Sequence, residues 1–434
     1  MPLVLALALA MNPNVGAGAS TTFTTLFSSS ALGWSEGMAV DGTGNLYIAS
    51  FMHTNVIERS STGTISIVAT TPGYPKGVAL DAQGNLYIAV EGGCNCVFRE
   101  SAARLATGAT ASVGNGLVEV LSSCGNTGGL AFDARGDLAI GMCISGSMGV
   151  FGVSASTLAG GAFPLSAGVN GYERIATVGG SLGPDVTFDA AGNLLLTNPV
   201  TANLDGVSAA GVSSALAGAG ATSVALISPS VGLVNPIGVK VEPNGNVVLA
   251  DDATGLVSEV IGLSILTALG GGSQVGAGDV SALTTITPMG MQLASLAVDA
   301  RGVIYVGDGN NDYVRVSASA PAAPTSLVAS VSSSSLSVHW VGTATSYRCT
   351  LLYGYDSPST FTQIVRTPSC TFSGLAPGSE YGVSVVATNL VGTSAPVNVF
   401  AVTSRNVIVC ARGKQVREVA GLNPRCPSGF HRVR

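Results

Sequence analysis

The sequence predicts an all-β fold, and three observations carry that prediction. A short phrase recurs six times: GMAVDGTGNLYIA from Gly37, GVALDAQGNLYIA from Gly77, GLAFDARGDLAIG from Gly129, DVTFDAAGNLLLT from Asp185, GVKVEPNGNVVLA from Gly238 and SLAVDARGVIYVG from Ser295. Each copy is two short apolar strands around a turn, and units repeated at such a period bury their faces against their neighbours, as in propellers and solenoids. In the first copy the pair 38–40 and 46–49 is followed by two more strand-like runs, 55–59 and 64–69, which makes one four-stranded propeller blade. Composition agrees: 10% charged residues, 47% hydrophobic residues and 58 glycines in 434 suit many short strands and turns and exclude a disordered chain.

The chain opens on PLVLALALAM, which is too short to span a bilayer and reads as the apolar part of a secretory signal over residues 1–19. Ala17-Gly18-Ala19 is the small-residue cleavage site in that reading, although no Lys or Arg precedes the run; a buried first strand is the alternative. Residues 22–28 then form a spare β-rich segment. The sixth copy ends after three strands, so this segment is expected to pair with residues 313–317, supply the missing outer strand and remove an exposed edge.

The recurring turn explains its own residues. Asp41, Asp81, Asp133, Asp189 and Asp299 end one strand, where a short carboxylate accepts backbone N–H groups, and a glycine follows three residues later, where φ > 0 is expected. Glu242 breaks the series in the fifth copy. A calcium reading fails on ligand count, because each turn supplies one carboxylate. From marker to marker the steps are 40, 52, 56, 53 and 57 residues, so later units carry longer outer loops.

With these residues in view, the chain over about residues 20–319 resembles the NHL-repeat six-bladed β-propellers and has the general look of the regucalcin and gluconolactonase propellers; LAVDARGVIYVGDGNNDYVRV in the last copy follows the NHL pattern most fully. The resemblance implies fold far more than activity, since such folds include lyases, lactonases and plain binding scaffolds. In the enzymes it points to, ligands sit at the start of the innermost strands. The corresponding ring here is Glu36, Lys76, Gly128, Pro184, Ile237 and Ala294, with one acid and one base that can pair; Glu36 and Lys76 are therefore the channel-lining candidates. A lactonase-like metal set is sketched by Glu36, Asp185 and Asn235, of which only Glu36-Gly37 matches that family's opening motif. The one propeller histidine, His53, and the lack of G-x-S-x-G leave little basis for a zinc lyase or a serine hydrolase.

Residues 320–404 resemble a fibronectin type III domain: Pro324 opens it, 336–340 carries Trp340, and GLAPGSEY from Gly374 matches the family's turn and tyrosine corner. Residues 405–434 differ in kind, holding seven Lys/Arg and one acid; this formal +6 leaves −12 on the rest of a chain of net charge −6. Residues 406–410 and 415–419 read as a short hairpin around Arg412-Gly413-Lys414, and the element resembles a C-terminal Cys-Lys/Arg unit of secreted actinobacterial proteins. Arg412, Lys414, Arg417, Arg425, Arg432 and Arg434 are the candidates for an anionic cell-envelope polymer. Nucleic acid is not expected without aromatic stacking platforms.

Eight cysteines fall in even-numbered groups, which favours disulfides in an oxidising compartment: Cys349 with Cys370, Cys410 with Cys426, and Cys94, Cys96, Cys124 and Cys143 among themselves, with three connectivities open. The C-x-C spacing of the last group does not match a two-knuckle zinc site. The sequence therefore predicts an all-β chain: a six-bladed propeller, a fibronectin type III sandwich and a disulfide-closed C-terminal hairpin. The expected function is a secreted or surface-associated, monomeric binding scaffold for a protein or glycan, without cofactor or transmembrane segment. The alternative is a metal-dependent hydrolase of the lactonase type, which would need a divalent ion.

Overall fold

A computed structural model describes residues 23–92, 97–122, 125–144, 147–167, 171–178, 183–222, 225–227, 233–253, 255–260, 280–285, 293–308, 312–318, 321–353, 361–389 and 391–433. The predicted signal segment lies outside them. The chain divides into two compact units, Met1–Ala318 and Ser319–Arg434.

Among the described residues, the first unit holds six sheets, one for each copy of the repeat, antiparallel except where Ser112–Val113 adds a short parallel edge to the second. In each sheet the two strands of the phrase are joined by the Asp-x-x-Gly or Glu-x-x-Gly turn; the first comprises Ser35–Val40, Leu46–Ser50, Asn55–Arg59 and Ile65–Thr70. The innermost strands are Ser35–Val40, Tyr74–Leu80, Asn126–Phe132, Val186–Phe188, Pro236–Val241 and Leu293–Val298; each touches the next, and the last touches the first. That closed circle of strands is a β-propeller.

Closure comes from the N-terminal segment. Thr24–Ser28 pairs antiparallel with Tyr313–Val316, with Thr24 opposite Val316 and Ser28 opposite Tyr313, and so completes the sheet begun by the last repeat. The spare segment thus does what its β-rich sequence suggested: it is the outermost strand of that sheet and covers the edge of Tyr313–Val316.

The apolar runs LYIA, LAIG, LLLT and VVLA are continuous rather than alternating because their strands are buried on both faces. Leu46–Ser50, Leu194–Asn198, Val247–Asp251 and Ile304–Asp308 are buried at every position. The core accordingly consists of clusters between successive sheets: Tyr47, Val56 and Val68 pack on Val78, Ile88 and Phe98, and Tyr87 and Val97 pack on Leu130, Ile140 and Phe151. Near the axis the strands approach too closely for side chains. A Cβ on Gly37 would lie 2.6 Å from Lys76 O, and one on Gly77 would lie 2.5 Å from Gly128 O. The glycine that begins the first two copies is therefore a packing requirement between neighbouring sheets.

The second unit contains a two-sheet sandwich. Thr325–Val331, Ser335–Val341 and Ser369–Ser373 face Phe361–Val365, Ser346–Tyr353, Glu380–Thr388 and Val397–Val402. Trp340 lies edge-on to Tyr347 at 5.1 Å, and the Ala376 N–H donates to Tyr381 Oη at 2.9 Å, the bond of a tyrosine corner. The Cys349–Cys370 disulfide joins the two sheets at a Cα separation of 6.7 Å. Asn406–Arg412 and Gln415–Gly421 form the expected hairpin, and His431–Arg432 adds a third strand; Cys410–Cys426 closes it at 5.6 Å between Cα atoms.

Of the four cysteines expected to pair among themselves, only Cys143 is among the described residues. It is buried and forms no disulfide among the described residues, where Asn126 and Met148 stand opposite it on the flanking strands. Cys94, Cys96 and Cys124 lie outside the described residues.

Candidate functional site

The two ends of the channel are chemically different. At the turn end, the five marker aspartates are used locally. Asp189 Oδ1 accepts the N–H groups of Ala191 at 2.9 Å and Asn193 at 2.7 Å, while Oδ2 accepts Asn193 Nδ2 at 2.8 Å; Asp41 and Asp81 repeat the pattern. These are closed Asx turns in which most of each carboxylate's acceptor capacity serves its own turn.

At the other end, where the innermost strands begin, a cavity of ≈ 260 Å³ opens on the axis. Glu36, Lys76, Asp185 and Asn235 all line it, together with Glu91, Thr197, Lys240 and Asp252. Glu36 is placed by the start of its strand, and Lys76 comes from the equivalent strand of the next sheet; Lys76 Nζ is 3.6 Å from Glu36 Oε1 and 3.3 Å from Glu91 Oε2. Burial holds the Glu36 carboxyl above the usual carboxylate range against the downward pull of Lys76, and Glu91 and Asp252 add to the rise.

On the opposite wall, Asp185 Oδ2 is 2.8 Å from Lys240 Nζ and accepts the Val239 N–H at 2.9 Å. The Asp185 N–H donates to Thr197 Oγ1 at 3.0 Å. Asn235 is held by neighbouring acids: its N–H donates to Asp251 Oδ2 at 2.9 Å and its Nδ2 to Asp252 Oδ2 at 3.3 Å.

The three residues sketched as a metal set therefore share one cavity, but their chemistry does not fit a divalent ion. Asp185 is ion-paired to Lys240, Glu36 shares Lys76 with Glu91, and the Asn235 amide is turned to donate to a carboxylate. Among the described residues no group of three His, Cys, Asp or Glu side chains is arranged to hold a metal. What the site offers is a set of donors and acceptors in which two lysines, each ion-paired, face four carboxyls.

Sequence reasoning missed Lys240, Glu91 and Asp252. A signal for the first was present: the third residue of the phrase is Ala in four copies and Thr in another, but Lys240 in the fifth, while the opening glycine of the fourth copy is replaced by Asp185. Those two departures, in successive copies, form one ion pair. A Cβ on Gly129 would strike the Asp185 carboxylate, so the preceding copy's glycine makes the room.

A series of aromatic rings adjoins the Lys76 and Glu91 side of this mouth, outside the residues that line the cavity itself. Phe51 lies near-parallel to Tyr74 at 4.8 Å between centroids and to Trp34 at 6.2 Å, and Lys76 Nζ sits 4.6 Å from the Phe51 centroid.

In the C-terminal element, Arg417 and Arg432 stand opposite Cys410 on either side, and Arg412 lies two residues along the same strand, so the three share one sheet face. Arg417 covers the Phe430 ring at 5.3 Å. Lys414 is in the hairpin turn, Arg425 is in the closing loop, and Arg434 lies outside the described residues. Among the described residues no helix is long and apolar enough to cross a membrane.

No curated protein matches the chain significantly. Among solved structures it is similar to a protein provisionally assigned as a gluconolactonase, at 14% identity over 69% of this chain and 92% of that one with a TM-score of 0.48. It is also similar to streptogramin B lyase, at 10% identity over 88% and 98% with a TM-score of 0.45, and to the WD40 β-propeller domain of Doa1, at 13% over 68% and 96% with 0.42. No activity carries over at such identities. Residues 322–402 match the family model of the fibronectin type III domain.

Proposed function

We propose that this chain is a secreted or surface-associated binding scaffold: a six-bladed propeller of the NHL type over residues 20–319 that takes a ligand at the mouth where its innermost strands begin, a fibronectin type III spacer over 320–404, and a basic element over 405–434 that associates with an anionic envelope polymer. The observation that carries the reading is the pairing of charges in the mouth. Lys76 with Glu36 and Glu91, and Lys240 with Asp185, line a concave site whose groups can hydrogen-bond a ligand while holding one another in place. Arg412, Arg417 and Arg432 on one face support the envelope role.

The lactonase alternative rests on Glu36, Asp185 and Asn235 facing one cavity, and the lysine partners of two of them count against it. One experiment separates the two readings. Purified chain is assayed for bound divalent metal and for hydrolysis of a lactone series with Ca²⁺, Mg²⁺, Mn²⁺ or Zn²⁺ added. The scaffold reading expects no stoichiometric metal and no turnover above buffer; a metal-dependent rate abolished by Asp185→Asn would replace it with the hydrolase. For the tail, removal of residues 405–434 is expected to weaken co-sedimentation with envelope material at low salt, and retention of the intact chain should fall as salt rises.

A further inference from the structure

The aromatic series at the mouth is built with more care than packing requires. Trp34 has φ 59° and follows Gly33 at φ 33°, so a large side chain occupies backbone space that L-residues rarely adopt. Such strain persists only where the surroundings enforce it. Here they do: the Phe51 N–H donates to Trp34 O at 3.0 Å, the Met52 N–H to Gly33 O at 2.9 Å, and Ser50 Oγ to Ala31 O at 2.8 Å, while His53 Nε2 lies 2.9 Å from Ser30 O. A Cβ on Gly33 would meet the His53 ring at 2.5 Å. The segment before the first inner strand is thus latched onto the short helical turn Phe51–His53 in a way that presents Trp34.

Tyr74 is placed with similar specificity. It begins the second inner strand opposite Glu91, two residues from Lys76, and remains 44% exposed. The turn beyond Glu91 bears Gly92 at φ 72°, and a Cβ there would come within 3.2 Å of the Tyr74 ring. Rings held this way adjoin Glu36, Lys76 and Glu91, so an apolar stack lies next to three strong hydrogen-bonding groups at the edge of the cavity.

The chemistry selects among ligands. A cation is disfavoured because Lys76 already occupies the Phe51 face. A phosphate-bearing ligand would meet two carboxylates for one lysine on this wall. A neutral pyranose suits both parts: its axial C–H face lies on an aromatic ring, and its equatorial hydroxyls donate to carboxylates and accept from an ammonium. The cavity of ≈ 260 Å³ is below the ~300–1,000 Å³ of sites for drug-sized ligands, a size for one or two sugar rings.

We propose that this mouth is a site for a neutral saccharide, in which Trp34 and Tyr74 stack on sugar rings and Glu36, Glu91 and Lys76 bind the hydroxyls. The proposal deepens the scaffold reading above and rests on it. Its test uses the full chain and a panel of glucose, galactose, mannose and N-acetylglucosamine with their β-linked dimers to tetramers, followed by calorimetry and tryptophan fluorescence. The chain has two tryptophans, and Trp340 is buried in the second unit, so a ligand-induced change reports Trp34.

Saturable binding is expected for at least one panel member, at least tenfold weaker in Tyr74→Ala. Trp34→Gly should lose both the binding and the fluorescence response while its thermal midpoint is no lower than that of the parent, since glycine relieves the left-handed backbone. Failure of the whole panel, or equal affinity in both variants, overturns the saccharide assignment. Parallel arms with a peptide library and with phosphorylated sugars keep the two levels apart. Capture of either at the mouth, sensitive to Tyr74→Ala, removes the sugar and retains the scaffold; capture of nothing in any arm removes both.

Discussion

The two ends of the propeller channel are made from the same repeat and have opposite character. At the turn end, Asp41, Asp81 and Asp189 spend their oxygens on their own backbones, and the residues that do this recur from copy to copy. At the strand-start end the copies diverge: Glu36, Lys76, Gly128, Pro184, Ile237 and Ala294 occupy equivalent places, and side chains from different sheets pair across the cavity. Repetition marks where each sheet satisfies itself, and divergence marks where the sheets act together. A repeat is thus a guide to structure, and its exceptions are a guide to the site.

The contrast can be broken most strongly at the axis. Gly77→Ala sets a Cβ 2.5 Å from Gly128 O, a backbone atom that cannot rotate away, and is expected to cost on the order of 3 kcal/mol of stability in denaturant titration. A neutral result would mean that the inner strands slide apart freely. At the turn end, Asp189→Ala removes three hydrogen bonds to an ionised acceptor and should cost about 2 kcal/mol while leaving ligand capture at the other mouth unchanged. Loss of capture in that variant would show the two ends to be coupled.

Much of this was legible beforehand, for physical reasons. The closing role of Thr24–Ser28 followed from a count of strands, and the tyrosine corner followed from a local turn whose hydrogen bond spans five residues. The mouth was legible only in part. Glu36 and Lys76 could be placed because they precede the phrase at fixed distance, but the Lys240–Asp185 pair joins residues 55 apart through the curvature of the ring. No local rule relates them, although both break the pattern. Trp34 was illegible because its meaning lies in a left-handed backbone and a latch onto Phe51–His53, neither of which composition announces.

Two carboxyls at the turn end do not follow its rule, and they sharpen the comparison through pH. Glu100 is buried with Arg104 Nε at 3.8 Å, and burial pushes its carboxyl up to about 7; Glu242 is pushed to about 7 by burial and by the adjacent Glu259. The folded state therefore holds protons that the unfolded chain releases near pH 4.5. Their contribution to stability is full below that value and is lost as pH rises through about 7. Glu100→Gln is expected to raise stability at pH 8 by about 1–2 kcal/mol and to change little at pH 4, as read from denaturation at the two values. Equal effects at both would mean that the group does not titrate on folding.

The smallest effect concerns the fifth turn alone. There the Asn246 N–H donates to Asn244 Oδ1, because Glu242 does not take the place that Asp holds elsewhere. Glu242→Asp should restore the common turn, add about 1 kcal/mol and flatten the pH dependence between 5 and 7. A destabilised variant would show that the longer side chain is required where it stands.

The central claim, that the strand-start mouth recognises and the turn end only holds shape, is tested most directly by amide hydrogen exchange on the full chain with and without the tightest-binding member of the panel. Protection is expected at residues 33–37, 74–77 and 90–92, with no change at 189–193 or 242–246. Protection confined to the turn end, with the mouth unaltered, would contradict the account.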